Sequence, residues 1–242
     1  MNQTTRAYVI PLMVFMAFLP VNEIITLRNP ESPWWRQAPE LWIYPIQVIL
    51  CLGLLWYYRR CYTFVTPKRS AIACAILIGA LGFFIWITPS FLGYTWSGER
   101  SAAMDFLGFK SRTEGFDPTI IEESPLAFTL TIALRFLRLV VCVPLVEEIF
   151  WRGFLMRTFA KPNRRFHQIP IGSHSWQAFF VTTVSFILIH SPADYIGAAC
   201  FGAMIYLLTV RTGNLWAPVI AHGITNLALG IYVMTTKQWG FW

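Results

Sequence analysis

Residues 133–155 read ALRFLRLVVCVPLVEEIFWRGFL. The run is apolar enough to enter a bilayer, yet it carries Arg135, Arg138, Glu147, Glu148 and Arg152. A charge at bilayer depth costs a few kcal/mol or more, so such residues face a protein interior or a wet cavity and mark function by default. The stretch therefore predicts one helix inside a bundle of others. Working outward, comparable apolar runs predict helices over 8–27, 41–58, 71–94, 126–159, 176–190, 195–211 and 215–235. The expected fold is an all-α polytopic membrane protein, a bundle of about seven transmembrane helices with its active site buried between them. The chain reads as one transmembrane domain. Residues 1–125 supply the N-terminal spans and an extramembrane loop, and 126–235 the core that holds the charges. The one long polar stretch, 95–124, reads as an exposed loop or surface helix.

Composition agrees. Of 242 residues, 56% are apolar and 13% charged, against about 25% charged in an ordinary soluble domain. The net charge of +7 lies in short clusters between apolar runs, which suits anionic lipid rather than nucleic acid. Five cysteines without a CxxC pair read as small buried hydrophobes. The tryptophans Trp34, Trp35, Trp216, Trp239 and Trp242 read as interfacial anchors. More Lys and Arg fall in the set of loops holding Arg6, Arg59, Arg60, Lys68, Arg69, Arg157, Lys161, Arg164, Arg165 and Arg211 than in the set holding Arg28, Arg36, Arg100, Lys110, Arg112 and Lys237. The positive-inside rule then places the N-terminus in the cytoplasm and the C-terminus outside, with a bacterial inner membrane as the expected location.

Helical geometry sorts the polar residues. Glu148 and Arg152 are four apart, share a face and can pair. Glu147 points about 100° away, toward apolar neighbours and no cation. A buried carboxylate without a partner suits a general base. Pro144, three residues earlier, predicts a kink that opens space beside it. Arg135 and Arg138 are expected to neutralise acids or to snorkel. His190 ends the fifth run, and His222 and Asn226 lie four apart on the seventh. Singly, each reads as structural: an ion pair, a satisfied histidine, an interhelical amide bond. Together they form a set able to hydrolyse an amide. A carboxylate and an imidazole can deprotonate a water, and a second imidazole and an amide can donate to an oxyanion.

Three motifs carry a resemblance. Glu147 to Arg152 matches EExxxR, Phe186 to His190 matches FxxxH, and His222 to Asn226 matches HxxxN. In this order on separate apolar runs they resemble the CPBP family of intramembrane proteases, which includes CAAX prenyl endopeptidases and bacteriocin-processing and self-immunity proteins. The resemblance covers about 126–229 and implies a glutamic endopeptidase that needs no cofactor. It implies that Glu147 and His190 activate the water, that His222 and Asn226 stabilise the oxyanion, and that Glu148 and Arg152 organise the site. The substrate would be a membrane-embedded or lipid-anchored protein or peptide. Size and tryptophan content are compatible with the exosortase-associated branch of the family.

Two other readings use the same residues. Glu147, His190 and His222 could ligate Zn²⁺ in a membrane metalloprotease, although HExxH is absent. The polar cavity could also belong to a non-catalytic immunity or scaffold protein. A transporter fits less well, since the chain lacks paired halves with broken helices. Topology sets a condition on any shared site. Straight counting puts His190 at the outer end of its helix, far from Glu147. The two meet only if the fifth and sixth helices are short and turn at Ser191–Pro192 inside the protein, which is tolerated only where protein or a water cavity surrounds the turn.

Overall fold

A computed structural model describes residues 2–26, 31–96 and 98–242, apart from the side chain of Trp34. The expectations that rest on Arg28 and on the Trp34 anchor lie outside the described residues. Seven principal helices follow in chain order: α1 Gln3–Ile25, α2 Glu40–Tyr57, α3 Arg69–Thr95, α4 Pro125–Ala160, α5 Trp176–Leu188, α6 Tyr195–Thr212 and α7 Trp216–Thr236. No strand occurs among the described residues.

Among the described residues, six helices are long and apolar enough to cross a membrane. Their outward faces carry large bare hydrophobics, among them Ile49, Leu77, Phe84, Leu130 and Leu207, each more than half exposed. Water would penalise a surface of this kind, whereas a bilayer solvates it. The chain is an integral membrane protein.

α4 is the spine. Gly223 of α7 has no Cβ, and one built there would stand 2.9 Å from the carbonyl oxygen of Val140. Val140 is the residue whose carbonyl Pro144, lacking an N–H, cannot bond. The proline does not break the helix as a simple kink would. The preceding residues, Arg138–Cys142, widen into a π-helical turn, with Val143 N–H reaching back to Arg138 O. A second π-turn spans Trp151–Leu155. Such turns recur at functional sites. On the other side α7 runs beside α3, where a Cβ on Gly79 would meet Ala221 O at 2.6 Å. The gap this leaves is used by Thr225, whose hydroxyl donates to Gly79 O at 2.8 Å.

α5 is short, as the shared site demands. Its 13 residues rise about 20 Å from a start beside Phe159, where Ser175 Oγ donates to Phe159 O at 3.1 Å. The same rise counted back along α4 from Ala160 reaches Glu147. α6 is longer than expected: with its 3₁₀ lead it spans Pro192–Thr212 and is long enough to cross. The turn between them stays below the end of the bundle. Asp194 accepts from Trp86 Nε1 at 3.0 Å, while α3 continues to Thr95, about two and a half turns further.

The 95–124 segment roofs that turn. Outside Ser97, it holds a short helix at Ala102–Phe106 and a 3₁₀ turn at Pro118–Ile121. Arg112 pairs with Asp194, Ser90 Oγ donates to Lys110 O at 2.7 Å, and Arg112 N–H donates to Gln238 at 2.7 Å. It is a docked cap, not a free loop.

Other expectations are revised. Cys51 and Cys142 are buried, but Cys74 and Cys200 are exposed on helix faces, and all five are free. Trp239 is buried and Trp242 half-buried, packed into protein rather than standing at an interface. Arg135 and Arg138 neither snorkel nor meet an acid within ion-pair distance among the described residues. Arg135 is enclosed by Trp242, Tyr44 and Phe116, its guanidinium 4.1, 4.9 and 5.2 Å from the ring centres. Arg138 lies 4.4 Å over Tyr44 and 5.0 Å over Phe15. Aromatic faces compensate a buried guanidinium better than an ammonium, because it is planar and weakly hydrated.

Candidate active site

Glu148 and Arg152 are completely buried, with Arg152 Nη1 3.0 Å from Glu148 Oε2 and 3.1 Å from Oε1. The pair is the helical i,i+4 pair expected from the spacing. It also crosses helices, for Arg152 Nη2 donates to Gly202 O of α6 at 3.2 Å and the guanidinium lies 5.2 Å over the Phe186 ring of α5. Breaking such a pair costs roughly 3–5 kcal/mol, because the remaining charge stays buried without compensation.

His222 joins the same carboxylate, its Nδ1 2.9 Å from Glu148 Oε1. A carboxylate accepts, so Nδ1 carries the proton and Nε2 is free to act. The ring is held edge-on by Phe201 at 5.6 Å and Phe186 at 6.4 Å. Asn226, one turn further, donates its amide to Leu139 O at 2.8 Å. Leu139 lies in the first π-turn of α4, where the changed register frees carbonyls that a regular helix would use.

His190 follows the last turn of α5. Its Nδ1 is 2.7 Å from Phe186 O. A backbone carbonyl only accepts, so the Nδ1 proton is fixed and Nε2 is left as a base. Trp86 and Phe186 flank the ring at 5.3 and 4.6 Å. Glu147 is 5% exposed, and its Oε2 is buried without a hydrogen-bond partner. An unmade bond on a buried carboxylate oxygen costs several kcal/mol unless a water or substrate supplies it.

Phe186 thus gathers the set, touching both imidazoles and Arg152. The structure joins Glu148, Arg152 and His222 directly and anchors Asn226 and His190 on backbone carbonyls. Glu147 stands on the next residue of α4. The three side chains of the zinc alternative are not drawn into a metal-sized cluster: among the described residues no three His, Cys, Asp or Glu groups could hold an ion. Trp86 and Gln47 were not singled out from sequence as parts of the site. Gln47 carried a usable signal, a polar residue in the middle of an apolar run. Trp86 carried none, since aromatic residues fill every span.

Residues 129–228 match the family model of the type II CAAX prenyl endopeptidase, Rce1-like. This segment, 100 of the 242 residues, is similar to that family. The match is consistent with the resemblance that the three motifs carry, and the matched segment contains Glu147, Glu148, Arg152, His190, His222 and Asn226. It leaves α1 to α3 and the 95–124 cap outside. No curated protein and no solved structure is matched by the chain. The matched family model is that of an endopeptidase.

Proposed function

We propose that this chain is an intramembrane glutamic endopeptidase that cleaves a membrane-embedded or lipid-anchored protein. The observation that carries the reading is the buried, unpartnered Oε2 of Glu147, one residue from a carboxylate that already holds both an arginine and a histidine. One acid is spent on structure and the other is left for chemistry.

In this reading Glu147 and His190 Nε2 hold a water and take its proton. The water oxygen adds to the scissile carbonyl carbon. The charge gathering on the carbonyl oxygen is met by the imidazole of His222 and the remaining amide proton of Asn226. Glu148 accepts from His222 Nδ1 and so fixes the orientation of that ring. Collapse breaks the C–N bond, and the proton taken from water passes to the leaving amine. Arg152 fixes Glu148, and through it His222. The mechanism uses no cofactor. Charge bias in the loops supports a cytoplasmic N-terminus and an outer C-terminus, and a bacterial inner membrane is the proposed setting.

The test is cleavage of a panel of membrane-tethered peptides by purified protein and its Glu147→Gln variant, each with and without a chelator. Chelator-resistant cleavage that disappears in the variant is expected. Chelator-sensitive cleavage would assign the same residues to a metalloprotease. Binding without cleavage by either form would leave an immunity or scaffold protein.

A further inference from the structure

His190 lines a cavity of about 520 Å³ between α1, α2, α4 and the α5–α6 turn, together with Asn22, Glu23, Tyr44, Gln47 and Arg138. Of these, Arg138 is the residue that the proposed chemistry leaves unused. It is 7% exposed, more than nine-tenths buried, and lines the cavity. Among the described residues its one side-chain hydrogen bond runs from Nε to Gln47 Oε1 at 2.6 Å. Gln47 is itself held, its amide donating to Phe15 O of α1 at 2.9 Å. That bond turns Oε1 toward the arginine. With Phe15 and Tyr44 stacked against the guanidinium, the side chain is fixed at one edge while its forked end has no carboxylate to meet.

The nearby acids do not supply one. Glu23 lines the cavity but stands exposed on α1, and Glu40 is engaged by Asn22 at 3.4 Å. Neither comes within ion-pair distance of Arg138 among the described residues. Arg135, one turn earlier, adds a second buried cation sealed among aromatic rings. The cation that lines the cavity is the buried Arg138, and the acid that lines it, Glu23, is exposed. A guanidinium so placed is suited to a planar, bidentate anion.

We propose that this cavity is a substrate subsite and that Arg138 binds a carboxylate of the peptide being cleaved. The inference rests on the protease reading above and adds what the site selects. A carboxylate on Arg138 anchors the chain in the chamber that His190 lines, so the distance from that anchor to the attacking water determines which bond is cut. Gln47 is a positioning residue, acting through Arg138. The carboxylate is either the peptide's C-terminus or an Asp or Glu side chain.

Four matched membrane-tethered peptides separate these: free or amidated at the C-terminus, each with Glu or Gln at one internal position. Their binding to the Glu147→Gln variant is measured by fluorescence anisotropy, and their cleavage by the wild-type protein as kcat/KM. Binding is expected to be about tenfold or more tighter for one carboxylate source, the size of a charge-assisted bond. Arg138→Met should bring that peptide down to the level of its neutral partner and leave the neutral peptide unchanged, with the loss in KM rather than kcat. Equal binding of charged and neutral peptides, or an equal loss for both in Arg138→Met, overturns the proposal. The wild-type comparison needs no stable variant. If binding discriminates but nothing is cleaved, the protease reading fails while the carboxylate site stands.

Discussion

Glu148 has a partner on each side, Arg152 at 3.0 Å and His222 at 2.9 Å, while Glu147 beside it has a bare oxygen. Conservative substitutions at the two positions should therefore behave differently. Glu148→Gln leaves Arg152 buried without its counter-charge and should cost about 3–5 kcal/mol, read as a marked fall in the thermal midpoint in detergent, together with loss of cleavage. Glu147→Gln breaks no hydrogen bond of Oε2 and loses only an attraction to Arg152, so it should leave the midpoint within a few degrees while abolishing cleavage. Equal destabilisation by both would show that Glu147 is structural. The Glu148–Arg152 pair was legible from spacing alone, because an α-helix places residues four apart on one face. That His222 would share Glu148 was not, because the approach of α7 depends on glycines whose neighbours lie more than 80 residues away in sequence.

At the scale of the element, α4 and α7 meet where a proline and a glycine face each other. Pro144 withholds the N–H that would have capped Val140 O, and Gly223 lets α7 come against that carbonyl. Gly223→Val should force the helices apart, carry His222 and Asn226 away from α4, and abolish cleavage with a drop in stability. Gly53 in α2 is the control: a Cβ there meets nothing within 4 Å, so Gly53→Ala should be neutral or stabilising by up to about 1 kcal/mol. Identical behaviour of the two variants would argue against a packing role for Gly223. All seven helices were readable as apolar runs, and the short α5 followed from requiring His190 to meet Glu147. The π-turns of α4 were not readable, since a proline in sequence announces a disturbance without its form. Nor were the aromatic enclosures of Arg135 and Arg138, whose rings come from α1, α2, the 95–124 cap and Trp242.

For the whole molecule, the matched core is closed at one end by a segment that lies outside it. The Arg112–Asp194 pair ties the cap to the α5–α6 turn, Ser191 Oγ donates to Asp194 at 2.6 Å, and Trp86 links Asp194 to the ring of His190. Both partners of the ion pair are largely buried. Arg112→Met should release the cap. Hydrogen exchange should then accelerate in 98–124 and in 191–195 while α4 and α7 remain protected. Unchanged exchange in the turn would mean that the cap is held elsewhere. Composition had marked 95–124 as extramembrane. It could not show the docking, which depends on one arginine reaching a carboxylate 82 residues later.

The most direct measurement is cleavage of a membrane-tethered peptide panel by the wild-type and Glu147→Gln proteins in the presence of chelator, with thermal unfolding run in parallel. The account predicts chelator-resistant cleavage by the wild type and none by a variant that is equally stable. Cleavage retained in Glu147→Gln, or lost from the wild type on chelation, would contradict it.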